Sequence, residues 1–157
     1  MAKTIAVDFD GVIHAYTSGW KGPRVIPDGP VEGAIDFLLE SLSHGYTIAI
    51  YSSRSHAWGG RRAMKHWLEW HASLHFFGMF LKGKDADLGM WHLAGYQFGM
   101  DPPADEAEEA AAWLVRTIQW PKHKPPAMAY LDDRAVTFTG KFPHPSDLGN
   151  FKPWNKR

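Results

Sequence analysis

The chain has 157 residues, with 17 basic and 17 acidic side chains and a formal net charge of zero. This length suits one domain with a single sizeable core. The neutral balance argues against a protein held on nucleic acid or on a membrane by bulk charge, although a local basic groove stays possible. Cysteine is absent, which excludes disulfides and thiolate metal sites. No apolar run reaches the ~18 residues of a membrane span and no signal-peptide core is present, so a cytoplasmic protein is expected.

The first predicted strand lies in residues 3–12, where an apolar run ends in two carboxylates and a glycine. Strand alternation places Asp8 and Asp10 on the same side of the strand tip. Gly11 allows the chain to turn sharply there. Two adjacent carboxylates repel each other and favour a cation between them, and Mg²⁺ is the usual hard ion with oxygen ligands. The sequence therefore predicts a magnesium site at this strand tip.

The run Asp8-Phe-Asp-Gly11 resembles motif I of the haloacid dehalogenase-like (HAD) superfamily, whose members are mostly magnesium-dependent phosphatases. Pieces that resemble the other motifs follow in the family's order. The resemblance implies an α/β fold: a three-layer Rossmannoid (HAD-like) architecture with a central parallel sheet, a short flap and a small insertion. It implies one such domain over residues 1–157.

Residues 12–30 are rich in Gly, Pro and aromatic side chains, which predicts a loop or a short hairpin. In the family this position carries a flap over the active site, and the segment is too short for a folded cap domain. By resemblance, Trp20 and Tyr16 would exclude water from the site. A helix is predicted to begin near Pro30, with Asp28 as its N-cap.

That helix is expected to end at Gly45, and residues 46–51 then form a short, apolar, β-branched strand. A strand, a helix and a second strand make a βαβ unit, so the sheet should be parallel, with ligands at the carboxyl ends of its strands. The strand end resembles motif II: Ser52 would bind a phosphoryl oxygen, with Ser53 as the alternative. Arg54 would pair with a substrate phosphate. These serines also suit capping of the next helix, and both roles can coexist.

A second helix is predicted after Gly60, with one apolar side formed by Ala63, Met64, Trp67, Leu68 and His71. Its first turns are basic, at Arg61, Arg62 and Lys65, which opposes the helix dipole. This basic stretch is interpreted as a solvated face, with a substrate-facing patch as the alternative.

Residues 74–116 are predicted to be an insertion on the core, either a small cap element or an oligomer contact, and the place where substrate selectivity resides. Within it, an acidic first turn at residues 105–109 and a following apolar stripe predict a helix. The stripe comprises Ala107, Ala110, Ala111, Leu114 and Ile118.

Residues 127–131 predict another short strand, which ends in Asp132 and Asp133. This acidic pair resembles motif IV, which completes the magnesium site. A lysine just before the strand resembles motif III: Lys124 is the first choice and Lys122 the alternative. A last short strand is expected around residues 136–138, and the aromatic tail after it is expected to form an irregular strap.

The family pattern, carried onto this sequence, assigns Asp8 as the nucleophile that becomes an aspartyl-phosphate. Asp10 would protonate the leaving oxygen and then activate water. The neighbouring negative charge is expected to raise the pKa of Asp10, while magnesium acts in the opposite direction. Mg²⁺ would be held by Asp8, the backbone carbonyl of Asp10 and Asp132, with Asp133 as a direct or outer ligand. Lys124 would neutralise the crowded carboxylates.

The resemblance thus implies a hydrolase of phosphate monoesters that acts on a phosphorylated small molecule such as a nucleotide. An open site also admits a nucleic-acid end or a phosphoprotein as substrate. Lys21, Arg24, Arg54, Arg61 and Arg62 are available to line such a groove. A competing hypothesis is a non-catalytic module that binds magnesium or phosphate. No sequence pattern indicates the oligomeric state.

Overall fold

A computed structural model describes residues 3–81, 103–137 and 139–156. In chain order the main elements are strand β1, helix α1, strand β2, helices α2 and α3, strand β3 and helix α4. They span Thr4–Val7, Ala34–Ser43, Thr47–Ile50, Gly60–Leu81, Pro103–Thr117, Ala129–Leu131 and Pro145–Gly149. Two short 3₁₀ helices, Ser53–His56 and Trp154–Lys156, complete the described structure. None of the described helices has the length and apolar character that a membrane crossing requires.

The three strands form one parallel sheet in the order β2-β1-β3. Ala6 in the central strand lies opposite Ala49 on one side and Tyr130 on the other. A single bridge from Gln119 continues the pairing beyond Ala49. The predicted α/β class with a parallel sheet is therefore confirmed, and the carboxyl ends of all three strands meet at one edge.

The core forms where the apolar stripes of the helices meet the sheet. Met64, Trp67 and Leu68 of α2 are buried, as the sequence predicted. The predicted stripe of α3 is also buried, at Ala107, Ala110, Ala111 and Leu114. Both helices belong to the hydrophobic cluster that contains Val7 and Ile48 of the sheet.

The predicted insertion at residues 74–116 is described only at its two ends. Residues 74–81 complete α2 and residues 103–116 belong to α3, and these two helices pack against each other. Phe76 is buried in the main core. Residues 82–102 lie outside the described residues.

The predicted capping role of Asp28 is wrong. Helix α1 begins after Gly33, which has a φ of +76° and provides no side-chain cap. Asp28 instead accepts hydrogen bonds from the backbone N–H and the hydroxyl of Ser18, and so closes the loop that precedes the helix. Pro30 forms a bridge with His14, which keeps this stretch extended rather than helical.

The end of α1 agrees with the prediction, because Gly45 follows its last residues with a φ of +77°. The strand expected around residues 136–138 is not found in the described residues 132–137, and Phe138 lies outside them. The tail instead returns to the first loop. The indole Nε1 of Trp154 donates to the carbonyl oxygen of Gly11 at 2.6 Å, and Asn155 donates to that of Ala15 at 3.3 Å.

Candidate active site

The carboxyl edge of the sheet carries a cavity of about 220 Å³. Its lining comes from all three strand ends and the first loop: Asp8, Asp10, Tyr16, Tyr51, Ser52, Ser53, Asp132 and Arg134. Parallel strands direct their carboxyl ends to the same edge, which is why residues far apart in sequence converge here. The structure thus brings together most of the predicted site residues.

Three carboxylates meet at the tips of β1 and β3. One oxygen each from Asp8, Asp132 and Asp133 lies within 4.8 Å of the others. Both oxygens of Asp133 are buried and have no hydrogen-bond partner among the described residues. Among the residues that the structure describes, Arg134 is the one cation within 4.0 Å of Asp133, with its Nε 3.8 Å from Oδ2. A buried carboxylate without donors is costly unless a cation completes it, so this donor set fits a hard metal ion.

The pKa values of this cluster report the same shortage of positive charge. Burial raises the pKa of Asp8 to about 7, and the negative charges of Asp132, Asp10 and Asp133 add to the rise. A hydrogen bond of 2.7 Å from the backbone N–H of Phe9 acts in the opposite direction. Burial also raises the pKa of Asp133. The protein alone therefore does not hold all these groups ionised at neutral pH.

Gly11 is required by this cluster as well as by the turn. Its φ is +88°, and a Cβ atom at this position would collide with the carboxylate of Asp133. Any side chain here would displace Asp133 or the strand tip. The glycine of the motif thus leaves room for the acidic group that arrives from β3.

Asp10 occupies the opposite environment. Its Oδ1 lies 2.8 Å from Nδ1 of His14, and its Oδ2 accepts a hydrogen bond of 2.8 Å from Nε of Arg54. Burial acts to raise the pKa of Asp10, but the hydrogen bonds and positive charge of His14 and Arg54 outweigh it and lower the pKa. The expectation of a raised pKa for Asp10 is therefore wrong, because hydrogen bonds and positive charge from His14 and Arg54 act in the opposite direction.

His14 is a site residue that the sequence interpretation missed. Its side chain is fully buried and packs against the rings of Phe9 and Trp67, with centroid distances of 5.7 and 5.5 Å. Nε2 lies 3.3 Å from the backbone nitrogen of Asp28 and 3.5 Å from Oδ2 of the same residue, while Nδ1 faces Asp10. The signal was a histidine four residues after Asp10, but outside a helix this spacing has no standard interpretation.

Arg54 was expected to pair with a substrate phosphate, and it is not among the residues that line this cavity. Its side chain is fully buried, and Nη1 donates to the carbonyl oxygens of Gly22, Pro23 and Val25. Its guanidinium also lies 4.6 Å from the ring centroid of Trp20. Arg54 therefore ties the loop of residues 12–30 to Asp10.

Arg134 is the arginine that lines the cavity. It is exposed and follows the acidic pair directly, and its guanidinium lies 5.8 Å from the ring centroid of Tyr16. No role was predicted for Arg134 from the sequence. An arginine beside two carboxylates most often forms a local ion pair, so sequence alone offered little reason to select it.

Of the two roles that the sequence left open for the serines of the second strand tip, the structure shows the capping role. Ser52 is buried and caps the 3₁₀ helix: its hydroxyl accepts the N–H of Arg54, and its own N–H donates to the hydroxyl of Ser55. Ser53 is exposed. Both Ser52 and Ser53 line the cavity.

The two candidate lysines differ in position. Lys124 lines a neighbouring cavity of about 290 Å³ together with Asp8 and Asp132. Its Nζ lies 4.3 Å from the ring centroid of Tyr130, and among the described residues it forms no ion pair. Lys122 lines a separate groove beside α2. Lys124 is thus the lysine near the carboxylates.

The chain matches no protein-family model, no curated protein and no solved structure. Its described structure is an α/β fold with an acidic cluster and a hydroxyl-lined cavity at the carboxyl edge of a parallel sheet.

Proposed function

We propose that the protein is a magnesium-dependent phosphohydrolase of the HAD-like type, with the family's three-layer architecture, that cleaves phosphate monoesters through an aspartyl-phosphate on Asp8. One observation carries the proposal: the carboxylates of Asp8, Asp132 and Asp133 converge within 4.8 Å beside a cavity with hydroxyl groups. The buried, unpartnered oxygens of Asp133 support the same conclusion.

Magnesium fits the available ligands. Asp8, Asp132, Asp133 and the backbone carbonyl of Asp10 would hold it, since all are oxygen donors of the kind this ion prefers. When bound, Mg²⁺ would neutralise negative charge on the substrate phosphate and on the carboxylates around it. Without positive charge from some source, the acidic cluster would repel a phosphate dianion.

Asp8 is the proposed nucleophile. One of its oxygens accepts the N–H of Phe9, which orients the carboxylate at the cavity wall. An oxygen of Asp8 forms a bond to phosphorus while the bond from phosphorus to the leaving oxygen breaks. The products of this step are an aspartyl-phosphate and an alcohol that has gained one proton.

Asp10 and His14 together are proposed to supply and recover that proton. Asp10 alone is poorly suited to be a protonated acid, because His14 and Arg54 stabilise its carboxylate. Before the first step the hydrogen-bonded pair holds one more proton than after it, and this proton passes to the leaving oxygen. In the second step water attacks phosphorus, the bond to Asp8 breaks, and the pair regains a proton as phosphate leaves.

The other cavity residues are proposed to bind the phosphoryl group. Ser52 and Ser53 offer hydroxyl donors, and Arg134 offers a guanidinium. Tyr16 lines the same cavity, while Trp20 in the neighbouring loop packs over Arg54. A volume of about 220 Å³ accommodates a phosphoryl group with the rest of the substrate outside. A small phosphometabolite and the phosphorylated end of a larger molecule both satisfy this geometry.

Hydrolysis of p-nitrophenyl phosphate, with and without magnesium, tests the proposal. Phosphate release should require Mg²⁺ and should fall about 10³-fold or more in Asp8→Asn, because the nucleophile is lost. Asp105→Asn, an exposed change on α3, is the matched control and should retain full activity. Asp8→Asn with normal turnover would contradict the mechanism. No release from this ester, nucleotides or sugar phosphates, with magnesium still bound, would favour a non-catalytic binding module.

A further inference from the structure

A large basic groove lies beside the proposed active site. Its volume is about 700 Å³, more than three times that of the acidic cavity. The groove contains the basic side chains His56, Arg61, Arg62, Lys65, His66 and Lys122, and one acidic side chain, Glu69. Arg61, Arg62, Lys65 and Lys122 lie within 4.0 Å of no carboxylate among the residues that the structure describes. The local excess of positive charge contrasts with the neutral chain.

An aromatic platform adjoins the basic groove. Trp58 lines it and is 83% exposed, although large aromatic side chains are usually buried. The guanidinium of Arg24 lies 5.1 Å from the centroid of the Trp58 ring. Trp58, Arg62 and His66 also line an adjoining, mostly apolar cavity of about 440 Å³. A flat apolar ligand thus finds a stacking surface next to cationic side chains.

A direct contact connects the basic groove to the acidic cavity. Tyr51 lines the acidic cavity, and its hydroxyl lies 3.0 Å from Nε2 of His56 in the groove. Ser53 and His56 are the two ends of one 3₁₀ helix, which rises ~2.0 Å per residue, so they are separated by about 6 Å along its axis. One molecule can therefore occupy both sites.

We infer that the basic groove binds single-stranded nucleic acid and places its terminal phosphate in the acidic cavity. This inference deepens the proposed function and rests on it for the role of the terminal phosphate. The successive phosphates of a strand would pair with the cationic side chains of Arg61, Arg62, Lys65 and Lys122, and a base would stack on the ring of Trp58. A single phosphate would not need a second cavity of this size. A phosphopeptide would not supply a repeated charge with interleaved planar groups.

This role also accounts for the basic start of α2. Positive charges at a helix N-terminus oppose the dipole and cost stability. Arg61, Arg62 and Lys65 lie in the first turns of a helix of 22 residues. Two of them contact Trp120: Arg61 donates a hydrogen bond to its carbonyl oxygen, and Nζ of Lys65 lies 5.9 Å from its ring centroid. Their positive potential adds to that of the helix end and favours an anionic ligand.

Fluorescence anisotropy with a labelled 12-nucleotide oligothymidylate that lacks a terminal phosphate tests the groove in EDTA, where no turnover occurs. Four phosphate contacts predict a slope near −3 for log affinity against log salt, or a roughly 50-fold loss from 50 to 200 mM. Arg61→Ala/Arg62→Ala should weaken binding about tenfold or more and reduce the slope by about 1.4. Arg116→Ala/Lys141→Ala removes the same charge from exposed positions outside the groove and should change affinity less than about twofold.

Trp58→Ala separates stacking from charge. It should weaken binding about tenfold with an unchanged salt slope, because a stacked base is lost and no phosphate contact is. Trp70→Ala, at another exposed tryptophan of α2, is the control. In the Asp8→Asn variant with Mg²⁺, a terminal phosphate on the oligonucleotide should strengthen binding several-fold.

The outcomes distinguish the two proposals. Binding in EDTA without phosphate release from any substrate would overturn the proposed function and leave the nucleic-acid groove supported. Turnover of p-nitrophenyl phosphate without oligonucleotide binding would overturn the groove assignment alone. Equal weakening by the groove and control variants would also overturn it. So would equal binding of a nucleoside monophosphate or of a phosphopeptide with the same charge.

Discussion

The two carboxylates of the first strand tip are separated by one residue, yet they belong to opposite halves of the site. Asp10 belongs to a paired half, in which each of its oxygens meets a buried partner, His14 or Arg54. Asp8 belongs to an unpaired half, in which it faces Asp132 and Asp133. The pKa of Asp10 is accordingly lowered and that of Asp8 is raised to about 7.

The two halves of the site therefore have different roles, one in folding stability and one in ion binding. A buried, hydrogen-bonded ion pair fixes positions, and the fold is strongly destabilised when one partner is lost. A cluster of like charges destabilises the folded state until a cation arrives, and the relief of that repulsion contributes to the binding energy. The paired half therefore acts as scaffold for the loop, and the unpaired half as the proposed metal site.

The largest expected effect is the loss of the paired half. Arg54→Ala should destabilise the protein by about 3–5 kcal/mol, because it leaves Asp10 buried with one partner and frees the loop carbonyls. Urea unfolding measures the change, with the slope of unfolding free energy against urea concentration expected to be the same in the variant and the wild type. Arg62→Ala, at an exposed arginine of α2, should cost less than about 0.5 kcal/mol. A cost below 1 kcal/mol for Arg54→Ala would show that the two halves do not differ in this way.

Removal of a charge from the unpaired half should have the opposite effect and stabilise the folded protein. Asp8 keeps its proton up to about pH 7 when folded but only to about pH 3.8 when unfolded. Between these values the folded state binds more protons, so the contribution of Asp8 to stability falls as pH rises. Without magnesium, Asp8→Asn should therefore stabilise the protein at pH 8 by about 2–4 kcal/mol, three pKa units discounted for partial exposure.

Urea unfolding in EDTA from pH 4 to pH 8 measures this difference between Asp8→Asn and wild type. The difference should fall to about 0.6 kcal/mol or less near pH 4, where Asp8 is protonated in the folded state and about 40% protonated in the unfolded state. Asp105→Asn serves again as the exposed control. Destabilisation by Asp8→Asn at pH 8 would mean that Asp8 is paired like Asp10.

A smaller effect follows for magnesium itself. Because Asp8 must lose its proton, apparent affinity should be about tenfold higher at pH 8 than at pH 6. With a Kd of ~1 mM, 10 mM Mg²⁺ would stabilise the protein by ~1.4 kcal/mol, seen as a rise in Tm. Asp133→Asn should remove the rise, and Asp147→Asn on α4 should keep it. A rise of equal size at both pH values would place the ion elsewhere.

Local patterns in the sequence predicted the positions of the strand ends, but they did not predict the pairing of charges. Alternation and the β-branched runs were sufficient for Asp8, Ser52 and Asp132 to be assigned to one edge, because these signals act over a few residues. One of the two partners of Asp10, Arg54, is 44 residues away. Which of two arginines lines the cavity depends on how the loop closes over the sheet, and no local pattern records this.

The three helix predictions show the same limit. The apolar faces of α2 and α3 were predicted from periodicity and are buried as expected. The start of α1 was misplaced because Asp28 closes a loop through Ser18, a contact ten residues back along the chain. The side chains that cap helices, such as that of Asp28, can also form hydrogen bonds within loops, so the residue type alone does not distinguish the two roles.

The strand order has a consequence for biosynthesis. The central strand β1 pairs with β2 about forty residues later, but with β3 only after some 120 residues. During translation the first half of the site therefore emerges long before Asp132 and Asp133 leave the ribosome. A nascent chain that lacks β3 has no acidic cluster, so the proposed metal ion would bind only after β3 has been synthesised and has joined the sheet.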